Sequence, residues 1–263
     1  MSDDVVLSSI DKRGVAWVSL NRPEVNNAYN ADLLQAALDG LRAMAGDDNV
    51  RVVVLRGNGR HFQAGADLKW IRSVAAGTPQ ENEAASRLTG ELVRTLNEFP
   101  KPTVALVHGA CVGGGTGVIA ACDVVIASED ATFAISEARW GLVANPIFPH
   151  LNAAMGSRNV RRYAQTCERF DAHTARQLGL VHEVCETGKL DDAVALVLEG
   201  LLKAGPDALA ETKRVVLGCA GEIMSEQSFE QLVGSHAAKR QTSEATEGLA
   251  SFVEKRDPSW FRG

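Results

Sequence analysis

The first half of the chain alternates between short apolar segments, which are typical of strands, and longer segments with helical spacing. Residues 5–10 and 15–20 are apolar or alternating on either side of the polar stretch 11–14, a pattern that predicts a β-hairpin. Further strands are predicted at 50–55, 103–107, 123–127, 131–135 and 181–184. Beyond residue 144 the strand signal fades, and 181–184 is the single strand expected there.

Helices are predicted where apolar residues recur every three or four positions. The first follows Asn30, whose side chain can cap a helix N-terminus, and continues through residues 33–41. The segment 73–82 is expected to be an irregular surface excursion because it contains a glycine and a proline. Further helices are predicted directly after Gly65, at 88–99, after the glycines 113–115, and at 191–203, 207–217, 222–239 and 244–255.

This order of elements indicates a fold class. A strand-rich half that alternates with helices, followed by helices alone, favours an α/β layered core with a helical C-terminal third. No segment has the proline- and serine-rich composition of a linker, so one domain is expected.

Composition narrows the possible partners and the cellular location. The net charge of −6 argues against a nucleic-acid-binding surface. The five cysteines have no metal-clip spacing, so we expect reduced core thiols, no metal site and an intracellular protein. No apolar run approaches the ~20 residues that span a bilayer, and the N-terminus lacks a signal-peptide core. We therefore expect a cytoplasmic protein without a membrane or nucleic-acid partner.

Candidate chemistry is concentrated in two turns of small residues, 64–67 and 113–117. Glycine and alanine let a ligand approach the main chain closely, and two such turns could direct free N–H groups at one carbonyl oxygen. The alternative for the first turn is a plain glycine turn in which Asp67 caps the next helix. The second turn lacks the Lys-Ser/Thr pair of a phosphate-binding loop.

Glu137 is the candidate acid, since it directly follows the predicted strand 131–135. It is either a solvated acid at a strand end, paired with Arg139, or a proton donor and acceptor at the edge of the site. A carboxyl group in apolar surroundings has a raised pKa, which suits proton transfer in both directions near neutral pH.

Four segments in the same order resemble the crotonase superfamily of enoyl-CoA hydratases and isomerases. They are residues 20–28 (LNRPEVNNA), 64–68 (AGADL), 113–123 (GGGTGVIAACD) and 247–256 (EGLASFVEKR). The resemblance implies an α/β spiral of ββα repeats in residues 1–198 and a helical C-terminal region, 199–263, that forms trimers and covers CoA. It also implies an acyl-CoA thioester as substrate, no resident cofactor because CoA enters with the substrate, and a homotrimer or dimer of trimers.

The resemblance assigns roles to positions of this sequence. Ala66 and Gly114 supply the two oxyanion-hole N–H groups, and Glu137 matches the second catalytic glutamate of the hydratases. The residues expected to bind CoA are Val25, Ala64, Ala66, Asp67, Leu68, Lys69, Gly114 and Lys255, the last from a neighbouring subunit.

Gly117 departs from the superfamily pattern because it occupies the position of the first catalytic glutamate. Δ3,Δ2-enoyl-CoA isomerases also use a single catalytic glutamate. Residues 113–120, 136–137 and 162–171 are more similar to a bacterial branch, the methylglutaconyl-CoA and isohexenylglutaconyl-CoA hydratases of leucine and acyclic-terpene breakdown, which share this glycine. We therefore expect a hydratase for a branched, glutaconyl-type 2-enoyl-CoA, with an isomerase or a non-catalytic acyl-CoA binder as alternatives. Glycine at 117 is also expected to leave room for a branched acyl chain.

Overall fold

The computed structural model describes residues 4–221 and 225–263, and its strands and helices follow one another along both ranges. The strands are β1 (Val6–Ile10), β2 (Val15–Leu20), β3 (Val52–Gly57), β4 (Thr103–Val107), β5 (Ala110–Val112), β6 (Val124–Ser128), β7 (Thr132–Ala134), β8 (Phe170–Asp171) and β9 (Glu183–Cys185). The α-helices are α1 (Ala31–Ala45), α2 (Leu68–Ala75), α3 (Pro79–Asn97), α4 (Gly114–Ala120), α5 (Phe148–Met155), α6 (Ser157–Thr166), α7 (Ala172–Leu178), α8 (Leu190–Lys203), α9 (Pro206–Cys219), α10 (Glu226–Lys239) and α11 (Ser243–Glu254).

The larger sheet has the strand order β1-β2-β3-β4-β6-β9. The predicted hairpin is confirmed, since β1 pairs antiparallel with β2, and the remaining neighbours pair in parallel. One face of the sheet packs against α8 through Val194, Leu198 and Leu202. The other face packs against buried side chains of α1 and α3 and continues into the main core. The sheet is therefore covered on both faces, as parallel strands require.

A smaller sheet has the strand order β5-β7-β8. In both sheets, each strand comes later in the chain than the neighbour before it. Strand β4 pairs with β6 in the large sheet while β5 pairs with β7 in the small sheet, both in parallel. The consecutive strands β4 and β5 are thus followed by α4 and then by β6 and β7, which pair with them in the two sheets. This is the predicted spiral of ββα repeats, and it brings the turns after β5 and β7 to the same side.

Several local predictions need correction. The expected excursion at 73–82 is wrong for most of its length, because α2 continues to Ala75 and α3 begins at Pro79, capped by Thr78 in a reciprocal capping box with Glu81. Strands β5 and β8 were not predicted, because two or three residues are too short to show alternation. The predicted helix 222–239 begins outside the described residues, and α10 accounts for its remainder.

Residue 198, the predicted boundary of the core, lies inside α8. In the described ranges, no helix combines the length and apolarity that a bilayer crossing needs. All five cysteines are free thiols, and Cys219 is exposed rather than in the core. Burial raises the pKa of the Cys122 thiol to about 12, with a smaller contribution from Asp123, so this thiol is unreactive.

Candidate active site

The two small-residue turns lie side by side. Gly65 and Gly113 have φ angles of 86° and 57°, a region that residues with a side chain rarely adopt. A Cβ atom at Gly113 would lie 3.7 Å from the Gly65 Cα atom, and one at Gly65 would lie 3.2 Å from the Val112 carbonyl oxygen. Glycine is therefore required at both positions by conformation, and at Gly65 the Val112 carbonyl oxygen also leaves little room for a side chain.

Tyr29 holds the first turn so that the Ala66 N–H stays free. The Tyr29 N–H donates to the Gly65 oxygen at 2.9 Å, and the Asp67 N–H donates to the Tyr29 oxygen at 2.8 Å, which forms a parallel bridge between Tyr29 and Ala66. In such a bridge the flanking residues make the bonds, so the peptide groups of Ala66 itself point away from Tyr29. Within residues 4–221 and 225–263, the Ala66 N–H has no acceptor.

The second turn presents its N–H through the start of a helix. Gly114 is the first residue of α4, and the first N–H groups of a helix have no intrahelical acceptor. No other acceptor for the Gly114 N–H is present in the described part of the chain. The two free donors expected at Ala66 and Gly114 thus belong to adjoining turns.

Gln63 joins the two turns, although no pattern in the sequence indicated this role. Its N–H donates to the Ala110 oxygen and its oxygen accepts from the Val112 N–H, which forms a bridge to β5. Its side-chain oxygen accepts from the Gly65 N–H at 3.2 Å, and a Cβ atom at Gly115 would overlap that oxygen. The only signal in the sequence was an amide side chain directly before a small-residue turn.

Glu137 lies against the second turn. The Gly113 N–H donates to the Ala134 oxygen at 2.8 Å, which fixes the turn to β7, and Glu137 begins the short 3-10 helix that follows β7. Its Oε1 atom lies 3.0 Å from the place of a Cβ atom at Gly113. Its Oε2 atom is buried and has no hydrogen-bond partner among the described residues.

Burial raises the pKa of the Glu137 carboxyl, and the nearby backbone groups of Glu137 and Ser136 lower it by less. The carboxyl group is therefore not a solvated acid paired with Arg139. Arg139 instead donates to the Cys167 oxygen at 3.4 Å.

The expectation that Gly117 leaves room for a branched acyl chain is wrong. A Cβ atom at Gly117 would overlap Cβ and Cγ2 of Ile147, and Ile147 is only 2% exposed. The space beside Gly117 is filled by a β-branched side chain from the 3-10 helix Asn145–Ile147. A second carboxylate is thus replaced by an apolar wall.

The other predicted CoA-binding residues lie in three places. Ala64 and Val25 lie on neighbouring segments, since the Ala64 N–H donates to the Asn26 oxygen at 3.0 Å. Leu68 and Lys69 begin α2, where Leu68 is 64% exposed. Lys255 lies apart, as the exposed C-cap of α11, and within the described residues its side chain makes no hydrogen bond or ion pair with either turn.

Asp67 is committed to the protein itself. Its carboxylate caps α2 by accepting from the Lys69 N–H at 2.9 Å, and it pairs with Arg22 at 3.1 Å. Burial raises the pKa of Asp67, but these hydrogen bonds lower it by more, so the net pKa lies below its usual value. The Arg22 guanidinium also donates to the Ala28 oxygen at 2.5 Å. The helix-capping interpretation of Asp67 is therefore confirmed.

Together, two free N–H groups and one buried acid can perform a defined class of chemistry. Donors aimed at a carbonyl oxygen stabilise the negative charge of an enolate, and an adjacent carboxyl group can transfer the proton. Among the described residues, no three His, Cys, Asp or Glu side chains form a group that could hold a metal ion.

Comparison with known proteins points to one family. Residues 11–262 match the sequence profile described as "Enoyl-CoA hydratase/isomerase". A Thermus thermophilus protein that carries the name of an enoyl-CoA hydratase is 35% identical over 95% of this chain and 98% of its own length. The peroxisomal Delta(3,5)-Delta(2,4)-dienoyl-CoA isomerase of Arabidopsis thaliana is 30% identical over 92% of this chain and 91% of its own.

The fold agrees as well. The crystal structure of an enoyl-CoA hydratase from Shewanella pealeana superposes with a TM-score of 0.93 and is 33% identical, covering 97% of this chain and 96% of that one. The match of fold and sequence profile extends over nearly the whole chain, and the protein belongs to the enoyl-CoA hydratase/isomerase family, with the crotonase fold.

Proposed function

We propose that the protein is an enoyl-CoA hydratase that adds water across the 2,3 double bond of a branched, glutaconyl-type acyl-CoA. The observation that carries the proposal is the buried, unpartnered Oε2 atom of Glu137 beside the two free N–H groups. A buried polar atom without a partner costs about 1–3 kcal/mol, so a site that keeps one is expected to use it for a ligand or for water.

In the proposed mechanism the thioester oxygen accepts from the N–H groups of Ala66 and Gly114. The Glu137 carboxylate takes a proton from water as the water oxygen bonds to C3, and the π electrons of C2=C3 move to form the thioester enolate. Glu137 then returns the proton to C2, so one water is added with no net oxidation or reduction. Each oxyanion donor is expected to contribute about 2.7–4 kcal/mol to the transition state.

A cation for the distal carboxylate of such a substrate is available near the site. Lys69 and Arg72 lie on α2, and Arg139 lies in the same 3-10 helix as Glu137. We propose that one of them pairs with that carboxylate. The apolar Ile147 side chain beside Gly117 supports a substrate whose carbon chain, rather than a polar group, lies on this side of the site.

The alternative is a double-bond isomerase. Because Gly117 has no side chain and Ile147 fills the space beside it, Glu137 is the single candidate catalytic acid among the described residues, and one acid suffices to move a proton between carbons. The Arabidopsis relative is named as an isomerase. A third possibility, an acyl-CoA binder without turnover, is disfavoured because Glu137 and both free donors are kept.

The assembly proposed for the chain is a homotrimer or a dimer of trimers, with Lys255 of one subunit reaching the CoA of another. Support comes from large apolar side chains on α10 and α11 that are exposed in the single chain. They are Phe229, Val233, Leu249, Phe252 and Val253.

Product analysis tests the proposal. Purified protein is given crotonyl-CoA, 3-methylglutaconyl-CoA and a 3-enoyl-CoA in turn, and the products are weighed by mass spectrometry. We expect the glutaconyl substrate to gain one water, and Glu137→Gln to abolish the gain while Glu199→Gln, an exposed glutamate on α8, leaves it unchanged. A shifted double bond, detected as a change in the ultraviolet absorbance of the thioester without a change in mass, would make the protein an isomerase. Binding without turnover of any substrate would identify a binder.

A further inference from the structure

Tyr29 contacts both donor turns of the site. Its backbone forms the bridge that orients Ala66, and its ring packs against Gly114. A Cβ atom at Gly114 would lie 2.6 Å from Tyr29 Cε1 and 2.9 Å from the Tyr29 hydroxyl oxygen. The Tyr29 hydroxyl therefore lies close to Gly114, whose N–H is the second free donor. The Tyr29 backbone meanwhile holds the turn that presents the first free donor, the Ala66 N–H.

The Tyr29 hydroxyl is an uncommitted donor. The ring is fixed by its backbone bridge and by an edge-on contact with Trp70, with centroids 5.8 Å apart. Within residues 4–221 and 225–263 the hydroxyl makes no hydrogen bond to protein, although the residue is only 9% exposed. Burial raises the pKa of Tyr29 to about 12, and the charge of Glu137 adds to this, so the hydroxyl keeps its proton throughout the working pH range.

The hydroxyl and the acid flank one peptide unit. Glu137 Oε1 lies 3.0 Å from the place of a Cβ atom on Gly113, and the Tyr29 oxygen lies 2.9 Å from the place of one on Gly114. Successive α-carbons are about 3.8 Å apart, and the free Gly114 N–H belongs to the peptide between them. At a helical φ of about −63°, the N–H of a residue and its Cα–Cβ direction point to the same side, so a ligand oxygen bound to the Gly114 N–H is expected on the side that the Tyr29 hydroxyl faces.

We propose that the Tyr29 hydroxyl is a third hydrogen-bond donor to the thioester oxygen, beside the Ala66 and Gly114 N–H groups, and hence a further catalytic residue. The inference rests on the proposed function, since it places an acyl thioester at this site. In the ground state the hydroxyl orients the carbonyl group, and in the transition state it stabilises the enolate.

The test removes this hydroxyl and nothing else. Tyr29→Phe keeps the ring, its contact with Trp70 and the backbone bridge. Tyr163→Phe is the matched control because Tyr163 is the other tyrosine of the chain and its ring packs on Phe170. We expect Tyr29→Phe to lower kcat about ten- to hundredfold with KM within about twofold, and Tyr163→Phe to leave both unchanged.

A spectroscopic measurement separates this inference from the proposed reaction. Butyryl-CoA labelled with 13C at the thioester carbonyl has no double bond and cannot turn over. We expect its carbonyl stretch to move to lower frequency when it binds the wild type, and to move less in Tyr29→Phe. Equal frequencies and equal kcat in the two proteins would overturn the role of Tyr29 and leave the proposed function standing.

A hydroxyl-dependent shift without turnover of any substrate would support Tyr29 as a donor and reject the hydratase. Absence of butyryl-CoA binding would reject both. If Tyr29→Phe does not fold, 3-fluorotyrosine incorporated into the Tyr163→Phe protein labels Tyr29 alone. Its 19F resonance should then move when butyryl-CoA binds, and an unmoved resonance would overturn the proposal.

Discussion

The two turns that present the free N–H groups are held in place by different interactions. The turn at Gly113–Gly117 is enclosed by side chains, with Tyr29, Ile147 and Glu137 in contact with its backbone. The turn at 64–67 lies nearer the surface and depends on hydrogen bonds and on the Arg22–Asp67 ion pair. The turn at Gly113–Gly117 should therefore be sensitive to substitutions that add side-chain volume. The turn at 64–67 should be sensitive to substitutions that remove a charge.

The largest expected effect is on catalysis at the enclosed turn. In Gly114→Ala the new methyl group must displace the Tyr29 ring or the Gly114 N–H, because it would lie 2.6 Å from Tyr29 Cε1. We expect kcat/KM to fall by about a hundredfold or more, the effect of losing one oxyanion donor. Gly40→Ala on α1 is the control, since nothing lies within 4 Å of a Cβ atom there, and it should keep full activity.

Packing at Gly117 gives the next largest effect, and it can be measured as stability. In a helix, Gly→Ala alone stabilises by about 1 kcal/mol, whereas overpacking costs about 1–3 kcal/mol. The overlap with Ile147 involves its Cβ and Cγ2 atoms, which a β-branched residue cannot easily move. We therefore expect Gly117→Ala to lower the free energy of unfolding, and Gly218→Ala on α9, where the space is open, to raise it.

A double-mutant cycle isolates this contact. Ile147→Ala alone should cost about 2–5 kcal/mol through the cavity that it leaves. The double variant should lose less than the sum of the two single variants, because each relieves the other. Additive losses in urea unfolding would show that Ile147 does not fill the space beside Gly117.

The polar turn should show a smaller effect. Arg22→Met removes the partner of the half-buried Asp67 carboxylate, at a cost of about 1–3 kcal/mol in unfolding free energy. Arg42→Met is the matched control, because Arg42 is 55% exposed and its ion pairs at 3.5 and 3.6 Å are on the surface. Equal thermal shifts in the two variants would contradict the distinction between the turns.

The smallest expected effect is the loss of folding stability that is caused by burying the Glu137 carboxylate. Because the pKa of Glu137 is raised, the folded protein binds the proton more tightly than the unfolded chain does. The free energy of unfolding therefore falls as the pH rises from the ordinary pKa of 4.5 through the raised pKa. Glu137→Gln should therefore have a higher Tm than wild type at pH 7, with the gain vanishing below pH ~4.

Glu199→Gln should show the opposite sign, because a hydrogen bond from Lys203 lowers the pKa of Glu199. A Glu137→Gln gain that does not change with pH would show that burial of the carboxyl group is not its cause.

Sequence alone predicted the elements whose signals are local. The hairpin, the α1 cap at Asn30 and the two glycine turns depend on residues that are adjacent or one helical turn apart. The order of four motifs was enough to indicate the family and its fold. Their spacing could not show how far the side chains at one motif extend toward another.

The contacts missed from sequence join distant segments. Ile147 fills the space beside Gly117 from thirty residues further along the chain, and Tyr29 reaches Gly114 across an even longer separation. No spacing rule predicts which side chain occupies a space that a glycine leaves open. The roles assigned to Val25, Lys69 and Lys255 stay predictions for the same reason, since they depend on CoA or on a second subunit.

The most direct test of the central claim, that Glu137 alone moves the proton, is turnover in D2O. The product of the wild type should carry one solvent deuterium at C2, counted by mass spectrometry, and Glu137→Gln should form no labelled product above the uncatalysed rate. Labelled product formed by Glu137→Gln at the wild-type rate would contradict the account, because another group would then be supplying the proton.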